Sequence, residues 1–573
     1  MKRTSFVRKQ QFFRLSLLVA ILVFVNILAS PLIKRIDLTD DQRFTLADST
    51  KEMLRHLPGN IFVSVYLKAD DLGSDYQRLA DATRELLDEF RVYAGSKLQY
   101  QFEDVLSGKN EEDKKKLFKD FFSRGMAPVS INASSTDAYS IKTVIPSAWV
   151  TINGANGYPV NLAKNVEGIV SEGTLNTSVA QLENQFATVI RSIAYPRRPL
   201  LGYISGHGEL EPAFTADLDT SLKMFYDIKT IDLPHVYHID PKYACVIVAK
   251  PRGTFEEKEL FLLDQYLMHG GHVLWLAETM NAELDSMWRS RKLSFLATPY
   301  PLPLNDLLFH YGLRLNIDLV QDEVCNPVPL PVGYQDKQMQ FQLFPNFYYP
   351  VLIPDLNHPI LKSIDRIAGR FMSSIDTVRS GEVKKTVLLH TSEHSRTVGN
   401  GPWEVDYKEF KTPPNDLSYN KKNLITGLLL EGSFTSAFRN NVSHRLLTIW
   451  QDSLHQTFLE KSSSTRMIVL SDGDLIKNGL DRNGNPGSLG FYAYTKELFA
   501  NKNFLLNCID YLTGYTGNME TRSKVVKLRL LDAEKIKQEK TKWQVMNMAL
   551  PLVFVLLFAF VFTLVRQLRY ARK

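Results

Sequence analysis

The sequence predicts an α/β protein carried between two membrane-spanning helices, and three observations predict it. Two uncharged apolar runs, Leu15–Ile33 and Trp543–Val565, bracket the chain, and each meets the roughly 20 residues a helix needs to cross a bilayer. Between them, short apolar strands alternate with amphipathic helices, the pattern of an α/β fold. The chain of 573 residues is too long for one hydrophobic core, so two or three soluble domains are expected.

Charge orients the spans. Lys2, Arg3, Arg8, Lys9 and Arg14 precede the first run without an acidic residue among them, and Arg566, Arg569, Arg572 and Lys573 follow the second. Basic flanks stay in the cytoplasm. Both termini are therefore expected inside (residues 1–14 and 566–573), with the bulk in the periplasm of a two-pass inner-membrane protein. Lys535, Lys537, Lys540 and Lys542 crowd the outer side of the second span and oppose this orientation; the first helix usually dominates. A cleavable signal peptide is the alternative for the first run, but Pro31 would follow the cut at Ala29-Ser30.

Residues 34–195 predict the first soluble domain. Asp48 or Ser49 is expected to cap a helix that begins near Thr50 and ends at Pro58-Gly59. A strand (Ile61–Leu67), a helix (Tyr76–Tyr93), a strand (Leu98–Val105) and a charged helix (Glu111–Arg124) follow. Ile141–Ile152 and Tyr158–Leu162 predict a hairpin, and Thr174–Ile193 a helix. The order β-α-β-α-β-β-α is that of a thioredoxin-like domain. No CxxC is present, so the likeness is architectural and implies no redox activity.

Residues 196–526 predict a doubly wound domain after the linker Pro196–Pro199. A strand at Leu200–Ile204 runs into Gly206-His207-Gly208-Glu209 and a helix near Thr215–Tyr226. The continuous apolar strand Tyr243–Ala249 fits a sheet covered on both faces. Thr254 with Glu257 reads as a capping box for a helix ending at Met268, and His272–Leu276 is the next strand. Residues 315–440 read as a β-rich insertion. The parallel pattern resumes at Arg466–Leu470, runs into Ser471-Asp472-Gly473-Asp474 and closes with the helix Lys502–Leu512. Lys527–Lys542 reads as a charged stalk (527–542) entering the second span (543–565).

Composition narrows the function classes. The chain is 44% hydrophobic and 23% charged, with net charge +6, partly from its basic ends. No basic stripe interleaved with aromatics points to nucleic acid. Cys245, Cys325 and Cys508 are far apart and form no zinc spacing; Cys245 and Cys508 lie in apolar runs as buried residues do, and a single disulfide is an alternative.

The candidate binding residues are Gly206, His207, Gly208, Glu209, Asp472 and Asp474, because ligands of open α/β sheets bind beyond the carboxyl ends of the strands. The plainer reading makes the first turn a tight strand-to-helix connection and the second a helix cap. Asp481–Asn485 spaces oxygen side chains as a calcium loop does, but Tyr492 stands where the bidentate Glu belongs. No P-loop and no G-x-S-x-G elbow exists, and Cys245 lies inside a strand, so no nucleophile, metal or cofactor is expected and the chain reads as no enzyme.

Several segments carry a family resemblance. They are Arg35–Thr50 (RIDLTDDQRFTLADST), Gly202–Glu211 (GYISGHGELE), Asn357–Ile360, Thr391–Glu393, Gly432–Phe434, Val469–Asp474 (VLSDGD) and Asn503–Gly514. Taken in order, with both spans, the chain resembles the GldG-type, gliding-motility-associated auxiliary (substrate-binding) component of ABC transporters from the Bacteroidetes. The family often ends its last strand in a Gly-Asp-Ser-Asp turn, where this chain has Ser471-Asp472-Gly473-Asp474. The resemblance implies a domain like those of intraflagellar-transport and glutamine-amidotransferase-like proteins. It also implies a separate permease and a cytoplasmic ATPase as partners, besides the lipid bilayer. A non-catalytic subunit that binds cargo or couples ATP-driven motion to envelope partners is the expected function. The alternative is a membrane-tethered, metal-assisted hydrolase in which His207, Glu209, Asp472 and Asp474 converge.

Overall fold

The computed structural model describes residues 45–570, apart from 69–73, 127, 136–137, 156, 164–171, 291, 355–356, 363, 381, 412–417 and 523–532; before residue 45 it describes only Leu17. The predicted first span therefore lies outside the described residues. The chain divides into two compact units, Met1–Val525 and Val526–Lys573.

The first unit opens with α1 (Asp48–Arg55), β1 (Ile61–Val65), α2 (Ser74–Ala94), β2 (Leu98–Phe102) and α3 (Glu111–Ser123). The hairpin β3 (Val129–Ser135)–β4 (Ala138–Val144) comes next, then β5 (Ser147–Ile152), β6 (Tyr158–Asn161) and α4 (Glu172–Ala194). The sheet runs β2-β1-β5-β6, with β1 parallel to β2 and antiparallel to β5. One expected strand, Ile141–Ile152, is thus two: the chain breaks between Val144 and Ser147, and the first half pairs away from this sheet. Alternation of Ile61, Val63 and Val65 with Phe62 buries one face of β1 against Leu79, Leu87 and Phe90 of α2.

The expected side-chain cap of α1 is absent. Ala47 occupies the cap position, and Glu520 takes the free N–H groups of Asp48 and Ser49 at 3.1 and 2.9 Å. A carboxylate at a helix N-terminus is favoured by the dipole as well as by the hydrogen bonds.

The central sheet is built from β7 (Leu200–Ser205), α5 (Pro212–Leu222), β8 (Asp227–Asp232), β9 (Tyr243–Ala249), α6 (Glu257–Met268) and β10 (Val273–Leu276). A long hairpin follows, β11 (Cys325–Gln335) with β12 (Gln338–Leu352), whose outer part exposes Val332, Tyr334, Met339 and Leu343. Then come β13 (Lys384–His390), β14 (Ile425–Thr435), β15 (Lys461–Leu470), α7 (Asn501–Thr513) and α8 (Thr516–Arg522). The order is β13-β14-β15-β10-β9-β7-β8. The run from β15 to β8 is parallel, as expected of a doubly wound sheet, while β13 and β14 add antiparallel. Both antiparallel strands come from the stretch read as an insertion; that part of it extends the sheet.

Strands β9, β10 and β15 are continuous apolar runs because both faces are covered. One face packs with Phe504, Leu505 and Ile509 of α7, the other with Phe261, Leu262 and Leu263 of α6. The cap of helix α6 is Glu256 rather than Thr254: the Glu259 carboxylate takes the Glu256 N–H at 2.6 Å, which sets the start two residues later, at Glu257. All three cysteines are unpaired, with Cys245 and Cys508 buried.

The second unit is the helix α9 (Ala533–Tyr570), containing Pro551. Its stretch Lys542–Arg569 is 28 residues long and holds an 18-residue window of mean hydropathy 2.8, enough by length and composition to cross a bilayer. The outer part of the predicted stalk is helical from Ala533; residues 527–532 lie outside the described residues.

Candidate functional site

The parallel strands β7, β9, β10 and β15 deliver their carboxyl ends to one edge, and each loop leaving it carries a charged or turn-forming residue within its first two positions. After β7 the chain turns through Gly206 and Gly208, both at positive φ (121° and 74°). A Cβ on Gly206 would stand 2.4 Å from Pro234 Cδ, so the turn needs glycine there for conformation and for space. The His207 carbonyl accepts the N–H groups of Arg252 and Gly253 at 2.8 and 2.7 Å, tying this turn to the loop after β9.

The His207 side chain is buried between two carboxylates. Nδ1 lies 3.1 Å from Glu209 Oε1 and Nε2 lies 3.0 Å from Glu259 Oε2. Its ring stacks on Phe255 with centroids 3.8 Å apart. Burial pushes the imidazole down, but the hydrogen bonds and charges of Glu209 and Glu259 outweigh it and hold His207 above the usual histidine range. Glu259 thus serves twice, closing the N-terminus of α6 and holding His207.

A second cluster centres on Lys250, directly after β9 and fully buried. Its Nζ lies 2.8 Å from Asp474 Oδ1, 3.0 Å from Glu278 Oε1 and 3.7 Å from Glu283 Oε1. Arg252 reaches Glu283 at 3.1 Å. Asp472 caps the turn after β15: Oδ1 takes the Asp474 N–H at 2.7 Å and Oδ2 takes the Arg370 N–H at 2.8 Å. Gly473 lets this turn lie on Lys250, since a Cβ there would stand 2.6 Å from Lys250 Cγ.

Electrostatics follow from this geometry. Burial, with Asp474 and Asp472 nearby, drives Glu278 well above the usual carboxylate range although Lys250 opposes the shift. Burial and the Asp474 charge likewise raise Asp472. Burial also pushes Asp474 up, but Lys250, Lys477 and Arg370 outweigh it and hold Asp474 below the usual range. Oxygens of Glu278, Asp472 and Asp474 lie within 4.8 Å of one another, the one such group of three or more potential metal ligands among the described residues. The Lys250 ammonium sits against two of them, in the role a cation would fill.

The six candidate residues therefore separate into two clusters. His207 and Glu209 join Glu259; Asp472 and Asp474 join Lys250 and Glu278. The four-residue convergence that a metal-assisted hydrolase requires is not formed. Lys250, Glu278, Glu283 and Glu259 were not singled out from the sequence. Their signal is that adjacent strands end alike: Lys250 directly follows β9, and Glu278 and Asp472 lie two residues after the ends of β10 and β15. Asp481 folds its loop onto itself, accepting the N–H groups of Asn483 and Asn485 at 2.8 Å each. Burial pushes the Cys245 thiol up, away from nucleophilic character.

Comparison with known proteins places the chain further. Residues 198–508 match the family described as an ABC-type uncharacterized transport system, and residues 40–151 match a domain of unknown function. A search of curated proteins finds no match. Among solved structures, the N-terminal domain of mmIFT52 is similar at 15% identity and TM-score 0.30, over 55% of this chain and 97% of that one.

Proposed function

Because the chain belongs to the family of ABC-type uncharacterized transport system auxiliary proteins, we propose that it is a non-catalytic, membrane-anchored subunit of such a system. It works beside a separate permease and a cytoplasmic ATPase. The family match over residues 198–508 carries this reading. The apolar stretch Lys542–Arg569 supplies an anchor, and the sequence holds no P-loop with which to bind ATP itself. In this reading the first apolar run is a second anchor, both anchors dock on the permease, the folded unit stands in the periplasm, and the helix from Ala533 transmits permease movement. The exposed apolar end of the β11–β12 hairpin offers a subunit a docking surface. The resemblance to the gliding-motility-associated component gives the finer assignment, with envelope partners or cargo as what is coupled.

The test is affinity purification of the tagged full-length chain from membranes of its native host, followed by mass spectrometry. A multi-span permease and an ABC ATPase in stoichiometric amounts are expected. Recovery without either one would overturn the proposal.

A further inference from the structure

The outer part of the β11–β12 hairpin extends beyond the core. Residues 332–343 are exposed without a break, and over that stretch each strand pairs only with the other among the described residues. The third strand of this sheet, Ile367–Ala368, meets β12 no further out than Val351 and Leu352. The turn at the tip holds Asp336 and Lys337 at positive φ (49° and 65°), the geometry of a tight two-residue hairpin. A ribbon of two strands is marginal in water by itself and gains stability from a layer against one face.

Register decides what each face carries. Leu343 pairs with Pro329, Phe341 with Pro331 and Met339 with Tyr334, so these six side chains share one face. Gln342, Gln340 and Gln338 pair with Leu330, Gly333 and Gln335 on the other. The glutamine face is the one whose base, Val328 and Leu330, packs into the core. The apolar face is therefore turned outward, the reverse of the usual alternation. Tyr334 is 73% exposed, Phe341 51%, Leu343 47% and Met339 44%.

The chemistry of this face selects its partner. It holds no charged side chain, and the two charges of the tip, Asp336 and Lys337, are of opposite sign. Identical faces meeting across a two-fold axis set like against like, which an uncharged face tolerates. A phospholipid surface favours basic residues beside the apolar ones, and Lys337 with Asp336 next to it is the only base here. At these exposures the face presents on the order of 500 Å² of apolar surface. Two copies would bury roughly 1,000 Å², the lower limit of a specific interface. We propose that this face docks on the same face of a second copy, the two hairpins stacked tip to base so that Met339 of each lies on Leu343 of the other. The long Tyr334 and Met339 at the tip then meet the shorter Pro329 and Leu343 at the base. The subunit that docks on the hairpin in the proposed function is this chain itself, a step that rests on that reading for the hairpin as a docking surface.

The assay is light scattering during size-exclusion chromatography of the full-length chain, made alone in a heterologous host and purified in detergent. Neither permease nor ATPase is present, so failure of the transport role would leave this result standing. A dimer with a micromolar dissociation constant is expected for an interface of this size. Met339→Glu should weaken the dimer about a hundredfold, because each carboxylate enters an apolar interface, while circular dichroism shows the fold intact. Tyr334→Glu should do the same and serves if the first variant does not fold. Gln340→Glu, on the opposite face, should weaken the dimer less than about threefold. Mixing Met339→Glu chains with Leu343→Lys chains should restore a dimer of one of each. A wild-type chain monomeric at tens of micromolar, a dimer that Met339→Glu leaves intact, equal loss from Gln340→Glu, or a mixture that stays monomeric would overturn the proposal. A monomeric chain that loses its permease on Met339→Glu in capture from the native host would give the face to the permease and overturn it as well.

Discussion

At one end of the parallel strands, charged side chains fill the edge; at the other lies a cavity lined by no Asp, Glu, Lys or Arg. At the carboxyl edge, Lys250 serves Asp474 and Glu278, and His207 serves Glu209 and Glu259, all buried. At the amino edge, Trp450 and His272 line a space whose walls hold no Asp, Glu, Lys or Arg. The usual location rule for α/β ligand sites points to the carboxyl edge. Here that edge is closed by the chain's own ion pairs, so its charges hold loops together. Glu278 Oε1 and Oε2 and Arg252 Nε are nonetheless buried there without a hydrogen-bond partner, so the ion pairs fill the edge without satisfying every group on it.

Four substitutions separate the two edges, ordered by expected effect. Lys250→Met leaves Glu278 and Asp474 without their shared cation, and should lower the unfolding free energy by about 3–5 kcal/mol. Guanidinium denaturation in detergent measures it, and a loss near zero would show the cluster to be open to water. Gly473→Ala drives a methyl against Lys250 Cγ and should cost about 1–3 kcal/mol by the same measurement.

His207→Gln tests the other carboxyl-edge cluster through pH. The folded imidazole titrates above its ordinary value of 6.5, so its contribution is complete below that pH and is lost as pH rises through the folded value. The difference from wild type should be about 1–2 kcal/mol near pH 6 and shrink in alkali. A difference independent of pH would mean that the charge of His207 does not contribute. Trp450→Phe should change stability by less than about 1 kcal/mol, because its N–H bonds nothing in the chain. A large loss there would erase the contrast between the edges.

Legibility in the sequence followed the range of the interactions. Strand β9 and helix α6 were readable from local pattern: seven apolar or small residues in a row, then a helical stripe ended by Gly270-Gly271. Strand β8 was missed because Asp227, Lys229 and Asp232 make an edge strand polar. Strands β13 and β14 were read as an insertion because their pairing reaches β15 from outside the parallel repeat. The start of α1 was misassigned because its cap, Glu520, lies 472 residues away. His207, Glu209, Asp472 and Asp474 were found from the turns they occupy, but their division into two clusters depends on Lys250 and Glu259. A lysine followed by a proline reads locally as the solvated end of a strand. Trp450 carried no signal, since its place beside His238 and His269 comes from packing between distant segments.

The proposed role has this chain work with a separate ATPase and hydrolyse no ATP itself. Its most direct test is ATP hydrolysis by material captured on the tagged full-length protein from two sources: its native host, and a heterologous host making this chain alone. The native capture should hydrolyse ATP and the lone chain should not. Hydrolysis by the lone chain, or a native capture devoid of both ATPase activity and ABC subunits, would contradict it.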